Sequence, residues 1–362
     1  MALPEPKPGV LKAPIYVGGT HKVPGVDRPA VLSANENPLG PSAKAMEAYR
    51  AAAEELHRYP DGGATELREA LGERFGLNPE RIVVGAGSDE LITLLIRGYA
   101  GAGDEVLYSR HGFLMYAISA LTVGATPVAA PEQDYTADID ALLAHVTERT
   151  KLVFLANPNN PTGSYLARDA VRRLREKLPE HVVLVLDAAY AEYVGRNDYD
   201  AGAELVDAFP NVVMLRTFSK IFGLAALRLG WGYFPQPIAD VMHRLRSPFN
   251  VSVPAQKAGV AALADRAHME EARAHNDLWL PKVSTALTDL GLTVLPSVGN
   301  FILVGFRDEA EADRAHAFLF ARGVIGRAVK GYGLPSFLRF TIGAGWENGM
   351  LIDGLKDFRR QG

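Results

Sequence analysis

The chain has 362 residues, of which 48% are hydrophobic and 22% are charged, values that exclude a largely disordered or fibrous protein. Its 38 Lys and Arg residues against 42 Asp and Glu residues give a formal charge of -4, without the basic excess that a nucleic-acid-binding surface needs. It contains no cysteine, which excludes disulfides, thiolate nucleophiles and cysteine-ligated metal sites.

The length predicts about two domains at a typical ~150 residues each. Prolines and glycines are frequent at the start, which favours an arm over 1–40 that packs onto a smaller domain or a neighbouring subunit. We expect a large domain over 41–245 and a small α+β domain over 246–362. The first residues carry Glu5 and Lys7 where a signal peptide needs an apolar run, and no apolar stretch approaches the length of a membrane span. A cytoplasmic location is therefore predicted.

Short β-branched runs alternate with segments of helical period between Arg81 and Tyr233. This alternation predicts an α/β fold, a mainly parallel sheet with helices on both faces. The predicted strands are 81–84, 105–108, 126–129, 151–155, 182–186 and 211–215. The predicted helices between them are 88–99, 114–121, 138–145 and 167–178.

The pattern changes after residue 242. Helices are predicted over 253–264 and 266–287, the second kinked or broken at Pro281, and short strands over 300–304 and 337–342. This order is typical of a second, smaller α+β domain.

Polar residues follow several of the predicted strands, and ligands of such sheets bind at the carboxyl ends of the strands. The turn 85–90, Gly-Ala-Gly-Ser-Asp-Glu, offers backbone N–H groups and a helix N-terminus to a phosphate. A simple strand-to-helix turn with Ser88 as N-cap is the alternative. Glu90 stands where a dinucleotide fingerprint has its third glycine.

The loop 157–163, Asn-Pro-Asn-Asn-Pro-Thr-Gly, follows the strand that ends at residue 155. Its prolines favour an extended turn whose asparagine amides either face the cleft or bond the local backbone. Asp187 directly follows the apolar run 182–186, where a buried carboxylate needs a cation, either a ligand or a structural partner.

The fourth segment, Thr217-Phe218-Ser219-Lys220, follows the strand 211–215, and Arg228 comes eight residues later. A lone lysine here would normally be a solvated surface charge. Taken together and in this order, the four segments resemble the fold-type I aminotransferases, which use pyridoxal phosphate, over nearly the whole chain. More narrowly, 32–38 (Leu-Ser-Ala-Asn-Glu-Asn-Pro), 58–61 and 338–343 resemble histidinol-phosphate aminotransferases. The resemblance implies a seven-stranded sheet in the large domain.

The resemblance also implies roles around the cofactor. Lys220 would carry pyridoxal phosphate as a Schiff base and move protons, with Asp187 and Tyr190 as the other catalytic residues. Asp187 would pair with the protonated ring nitrogen, and Asn157 and Tyr190 would bond the phenolic oxygen. Phe113, at a position where tyrosine is also found, would stack on the ring.

Further implied residues surround the cofactor phosphate: Ala86, Gly87, Ser88, Thr217, Ser219 and Arg228. Burial and the nearby Arg228 would lower the pKa of Lys220, which must be neutral to act. Tyr59 would reach this phosphate from the other subunit, which implies a homodimer with shared active sites.

Arg339 is expected to bind the substrate, because its planar guanidinium matches a carboxylate or a phosphate. Arg327, Tyr16 and Asn35 are further candidates, although Arg327 is equally compatible with a surface charge. The histidines are scattered and form no metal-binding pair, so no metal is expected.

The resulting hypothesis is the transfer of an amino group from L-glutamate to imidazole-acetol phosphate, which gives histidinol phosphate and 2-oxoglutarate. An aminotransferase for phenylalanine and tyrosine is one alternative, because an aromatic ring and an imidazole need similar pockets. A lyase resembling threonine-phosphate decarboxylase is another. A cofactor-binding regulator is disfavoured, because such a protein does not require Lys220, Asp187, Tyr190 and Arg228 together.

Overall fold

The computed structural model describes residues 4–16 and 18–361. The helices are α1 (Ala43–Ala51), α2 (Thr65–Phe75), α3 (Ser88–Tyr99), α4 (Leu114–Thr122), α5 (Ile139–Ala144), α6 (Arg168–Lys177), α7 (Ala203–Ala208), α8 (Gln236–Leu245), α9 (Val253–Ala264), α10 (Arg266–Asp289), α11 (Glu309–Ala321) and α12 (Gly345–Gln361). The strands are β1 (Ala30–Val31), β2 (Ile82–Gly85), β3 (Glu105–Ser109), β4 (Thr126–Ala130), β5 (Glu132–Gln133), β6 (Thr136–Ala137), β7 (Thr150–Ala156), β8 (Val183–Asp187), β9 (Val212–Thr217), β10 (Gly230–Tyr233), β11 (Thr293–Val294), β12 (Phe301–Gly305), β13 (Val324–Ile325), β14 (Arg327–Ala328) and β15 (Phe337–Thr341).

The central sheet has seven strands in the order β2-β10-β9-β8-β7-β3-β4. The strands from β9 to β4 are mutually parallel, whereas β10 runs antiparallel to both of its neighbours. The six strands predicted between residues 81 and 215 are confirmed, and so is the mainly parallel sheet. β10 is not among the predicted strands, because two glycines in Gly-Trp-Gly-Tyr obscure its strand pattern.

Both faces of this sheet are buried. On β8, Val183 and Val185 pack into an apolar cluster with α3, α4 and α8. Leu184 and Leu186 alternate with them and join a second cluster on the opposite face, with α2, α6 and α9. Burial on both faces accounts for the continuous apolar run of this strand, and it holds the polar residue that follows, Asp187, at the edge of the sheet.

A second sheet, antiparallel and in the order β11-β12-β15-β14, packs with α10, α11 and α12 around its own apolar cluster. The N-terminal segment joins this part of the molecule, because β1 pairs in parallel with β13 and the Leu32 N–H donates to the Ile325 carbonyl at 2.8 Å. α9 packs against α1 and α2. The division of the chain at 40 and 245 stays a prediction.

α10 is continuous over 24 residues and contains Pro281, so the predicted break is wrong. Proline removes one backbone donor from a helix interior, but Val283 and Leu287 beyond it are fully buried, and this packing retains the helical path. Across the described part of the chain, no helix is both long enough and apolar enough to cross a membrane.

Candidate active site

The carboxyl ends of β2, β3, β7, β8 and β9 meet at one edge of the central sheet, where they border a cavity of about 250 Å³. Most of the residues predicted from the sequence contribute to its wall: Tyr16, Asn35, Ser88, Phe113, Asp187, Tyr190, Thr217, Ser219, Lys220, Arg228, Arg327 and Arg339. Four predicted residues, Ala86, Gly87, Asn157 and Tyr59, are not part of this wall.

Lys220 follows β9 and extends into the cavity. Its Nζ donates to the carbonyl of Ala34 at 2.9 Å and lies 5.7 Å from the centre of the Tyr190 ring. Burial lowers the pKa of Lys220 to about 8, with further lowering by the positive charges of Arg339 and Arg228. A substantial fraction of this lysine is therefore neutral near pH 8, as a nucleophilic or basic amine must be.

Asp187 is the last residue of β8 and is 6% exposed. Its Oδ2 accepts a hydrogen bond from the Tyr116 hydroxyl at 2.7 Å, whereas its buried Oδ1 has no partner among the described residues. Burial raises the pKa of this carboxyl to about 6. A buried carboxylate oxygen without a partner is costly, so this position suits a ligand that brings a cationic N–H.

Tyr190 is buried beside Lys220. Its hydroxyl accepts a hydrogen bond from Asn35 Nδ2 at 2.9 Å, and its ring packs edge-on against Phe301 of β12 at 5.1 Å. Asn35 has a φ of 54°, and its backbone N–H donates to Thr341 Oγ1 at 2.9 Å. Burial raises the pKa of Tyr190 well above its usual range, so the phenol keeps its proton.

Arg228 lies at the other end of the cavity. Its Nη2 is 3.1 Å from Asp89 Oδ2, and its Nη1 is 3.4 Å from Ser219 Oγ. Gly87 makes room for this guanidinium, because its φ is 84° and a Cβ there would lie 2.6 Å from Arg228 Nη2. Hydroxyl, guanidinium and the start of α3 thus converge on one small region, an arrangement that suits an anion.

The backbone donors at the start of α3 differ from those predicted. The Ala86 N–H donates to Glu90 Oε2 at 2.6 Å, and the Gly87 N–H donates to the Gly85 carbonyl at 2.8 Å. Ser88 and Asp89, at the start of the helix, line the cavity instead. Their N–H groups have no intrahelical acceptor, so they replace Ala86 and Gly87 as the candidate anion donors. The N-cap of α3 is Gly87, not Ser88.

Asn157 also differs from the prediction. Both ends of its amide bond the backbone of Leu166, with Nδ2 donating to the carbonyl at 3.0 Å and Oδ1 accepting from the N–H at 2.8 Å. Asn160 of the same loop lines the cavity, and its Oδ1 accepts a hydrogen bond from Arg339 Nη1. The loop contains three asparagines, and only its folded path decides which of them faces the ligand.

Two arginines of the second sheet form the opposite wall. Arg339 on β15 is 5% exposed, donates from Nη2 to the Ser33 carbonyl at 2.6 Å and has an Nε without a partner among the described residues. Arg327 on β14 is paired in register with Arg339 and lies 5.9 Å from the ring centre of Tyr16. Two neighbouring guanidinium groups suit a carboxylate or a phosphate.

Tyr59 lies outside the cavity. It is 83% exposed, and its ring stacks on Phe249, itself 45% exposed, with 4.7 Å between the ring centres. Tyr59 does not reach the cavity of its own chain, and its contact with the cavity of the other subunit stays a prediction.

The sequence patterns miss several residues of this site: Ser33, Asp89, Asn160 and Tyr332 line the cavity, and Tyr116 bonds Asp187. Helical spacing offered a signal for Tyr116, because it lies one turn after Phe113 on α4 and thus on the same face. Within 4–16 and 18–361, no group of three metal-ligating side chains is suited to hold a metal ion.

Comparison with known proteins assigns the chain to a family. Residues 29–355 match the family model described as aminotransferase class I and II. The chain is 58% identical to the histidinol-phosphate aminotransferase of Paramagnetospirillum magneticum over 360 residues, and 56% identical to that of Rhodospirillum centenum over 359 residues. Each alignment covers 99% of both chains.

The fold is similar to the crystal structure of histidinol-phosphate aminotransferase from Sinorhizobium meliloti in complex with pyridoxal-5'-phosphate. The TM-score is 0.86, with 31% sequence identity and 92% of each chain covered. The protein is a member of the class I and II aminotransferase family.

Proposed function

We propose that this protein uses pyridoxal phosphate to transfer an amino group between L-glutamate and imidazole-acetol phosphate, forming histidinol phosphate and 2-oxoglutarate. The observation that carries the proposal is the combination in one cavity of Lys220, of Asp187, whose Oδ1 has no partner among the described residues, and of the arginine pair Arg327 and Arg339. The names of the full-length relatives support the same substrate.

The residues present fit pyridoxal phosphate. Asp187 Oδ1, buried and without a partner among the described residues, would hold the proton of the ring nitrogen. Arg228, Ser219, Thr217 and the N-terminus of α3 would bind the phosphate, and Phe113 would cover a face of the ring. Bound pyridoxal phosphate supplies the electron sink for bond breaking at the carbon that carries the amino group.

Lys220 then acts as the proton carrier. With a pKa of about 8, its neutral Nζ would take a proton from the substrate carbon that bears the amino group and deliver it to the cofactor carbon that receives this group. Tyr190 keeps its phenolic proton and, held by Asn35, orients the oxygen-bearing side of the ring. Asn160, which lines the cavity, is a better candidate than Asn157 to bond this oxygen.

Arg339 and Arg327 provide the substrate contacts. An aminotransferase receives its two amino donors in turn at one site, so the same anion site must take the α-carboxylate of glutamate and the phosphate of histidinol phosphate. Arg339 is restrained by Asn160 and Ser33, which leaves its fork in one orientation for either anion. Arg327 and Tyr16 would extend this site toward the phosphate.

A half-reaction screen tests the proposal. Histidinol phosphate, L-glutamate, L-phenylalanine and threonine phosphate are each added separately to the loaded enzyme, and the cofactor absorbance is followed in single turnovers. We expect complete conversion with the first two. Faster conversion with phenylalanine would make the protein an aromatic aminotransferase, and release of carbon dioxide from threonine phosphate would make it a lyase. The cytoplasmic location stays a prediction.

We further propose a homodimer in which Tyr59 completes the phosphate site of the partner subunit. The exposed Tyr59–Phe249 stack and the neighbouring Leu56, 67% exposed, form an aromatic and apolar patch that a second copy would cover. Tyr59 does not line the cavity of its own chain, which is consistent with a contact to the cavity of the partner subunit.

Subunit mixing tests this arrangement. Lys220→Ala and Tyr59→Ala homodimers should each be impaired, but a mixed dimer would contain one site with both native residues. Activity that appears on mixing, in step with subunit exchange measured by native mass spectrometry, supports shared sites. A monomer with full activity, or mixing without recovery, rejects them. Tyr49→Ala, at a 42% exposed tyrosine of α1, is the control for loss of a surface ring.

A further inference from the structure

The two oxygens of the Asp187 carboxylate are in different environments, although both are buried. Oδ2 accepts the Tyr116 hydroxyl at 2.7 Å, whereas Oδ1 has no partner among the described residues. A carboxylate with two free oxygens could rotate and offer either of them to a ligand. The hydrogen bond from Tyr116 removes that freedom and leaves one oxygen available.

The tyrosine itself is firmly held. Tyr116 is fully buried on α4, with its ring stacked on Phe154 of β7 at 4.6 Å and 19° between the ring planes. Phe113, one helical turn earlier, meets the same ring edge-on at 5.9 Å and 88°. Two aromatic contacts therefore fix the direction of the Tyr116 hydroxyl, and one of them is with the residue expected to cover the cofactor ring.

We propose that Tyr116 is a positioning residue that pins Oδ2 of Asp187, so that Oδ1 is the oxygen presented to the protonated ring nitrogen of the cofactor. This inference rests on the proposed function, in which Asp187 is the partner of that nitrogen. Tyr116 touches neither substrate nor reacting atoms and acts through Asp187.

The charges around Asp187 give this hydrogen bond a second effect. Burial raises the pKa of Asp187 to about 6. The Tyr116 bond opposes this rise, Asp89 adds to it, and the backbone N–H of Ala189 and the charge of Lys220 oppose it to smaller degrees. Tyr116 is a dependable donor, because burial and the adjacent Asp187 raise its own pKa well above its usual range. Loss of the hydroxyl would therefore raise the pKa of Asp187 further and favour a neutral acid, which holds a protonated ring nitrogen less strongly.

Tyr116→Phe tests the inference, because it removes the hydroxyl and keeps the ring contacts. The apparent dissociation constant is measured by absorbance for pyridoxal phosphate and for its 1-deaza analogue, in which a C–H replaces the ring nitrogen. Because hydrogen bonds to charged groups are comparatively strong, Tyr116→Phe should weaken the binding of the natural cofactor by about tenfold or more. The binding of the analogue should change little. Tyr108→Phe is the matched control, since that neighbouring ring lies 6.2 Å from Tyr116.

Asp187→Asn, measured in the same way, distinguishes a failure of this inference from a failure of the proposed function. If this variant weakens both cofactors equally, Asp187 does not meet the ring nitrogen and the proposed function loses that contact. If Asp187→Asn discriminates between the cofactors but Tyr116→Phe does not, Tyr116 is only structural and the inference is overturned. The parent should lose cofactor affinity on acidification through about pH 6, and Tyr116→Phe should lose it at a higher pH. Unchanged pH dependence also rejects the inference.

Discussion

The cavity has two walls of different origin. The wall that we propose to hold the cofactor, called the cofactor wall (Asp187, Lys220 and Arg228), comes from the ends of neighbouring strands of one sheet and from the loops that directly follow them. The wall that we propose to bind the substrate, called the substrate wall (Arg327, Arg339 and Asn35), comes from the two ends of the chain: Asn35 donates to Thr341, 306 residues away, and Arg339 donates to Ser33.

The difference has a functional consequence. Residues of the cofactor wall are placed by a sheet that is buried on both faces, so their positions follow from the core of the large sheet. Residues of the substrate wall depend on long-range pairing of the N-terminal segment with the second sheet. Several hydrogen bonds join the two sides of the cavity, among them Asn35 to Tyr190, Arg339 to Asn160 and Lys220 to the Ala34 carbonyl. We therefore expect substrate binding to be alterable with little loss of cofactor affinity.

The largest expected effect is in the cofactor wall. Lys220→Ala should retain cofactor binding through the remaining wall but slow both half-reactions by about 10²–10⁴-fold, because the proposed proton carrier is lost. In the parent, borohydride reduction should attach the cofactor covalently to a peptide that contains Lys220, as peptide mass spectrometry would show. The exposed Lys177→Ala is the control. Label on any other lysine contradicts the assignment.

The next effect tests whether the walls are separable. Arg339→Lys removes the bidentate fork and should weaken the apparent affinity for both amino donors by about tenfold to a hundredfold. Its cofactor dissociation constant should stay close to that of the parent. Arg327→Ala should affect glutamate and histidinol phosphate to different degrees in separate single turnovers. A cofactor affinity that falls in parallel with substrate affinity would show that the walls form one unit.

A smaller effect should appear in the pH dependence of cofactor attachment, which depends on residues of both walls. The rate at which the apoprotein attaches cofactor should rise with pH through about 8, as Lys220 loses its proton. Arg339→Met removes a positive charge that lowers the pKa of this lysine, so the rise should move to higher pH. Stopped-flow absorbance gives both profiles. The control is Arg228→Met. Arg228 lowers the pKa of Lys220 less than Arg339 does, so its removal should move the pH profile by a smaller amount. Equal shifts of the two profiles, or no shift, would contradict this ranking.

The smallest effect concerns the loop that joins the walls. Gly163 has a φ of 79°, and a Cβ there would lie 2.3 Å from Ser297 Oγ. Gly163→Ala should lower the free energy of unfolding by about 1–3 kcal/mol in urea titrations. Ser297→Gly should relieve part of that loss by removing the steric contact. Gly195→Ala is the matched control, because no heavy atom lies within 4 Å of its added Cβ. Equal stability of the two alanine variants would reject the strain.

Much of the cofactor wall could be predicted from the sequence. Apolar runs of strand length, each followed by polar residues, indicate both the parallel sheet and the edge at which Asp187 and Lys220 lie. These signals are local, because a strand buried on both faces needs a continuous apolar run, and its first polar residue marks where that apolar run ends. The predicted bounds of α3 and α9 also agree with the structure, because helical spacing is likewise a local signal.

Other features were decided only by the tertiary structure. The choice of Asn160 over Asn157 depends on the path of a loop that packs against Leu166. The choice of Ser88 and Asp89 over Ala86 and Gly87 depends on Glu90 folding back onto the Ala86 N–H. The Tyr116–Asp187 bond and the Arg339–Ser33 bond join residues 71 and 306 positions apart. Side-chain direction and long-range pairing arise from packing between distant segments. A local sequence pattern does not contain this packing, so it cannot tell which of several chemically equivalent groups will face the ligand.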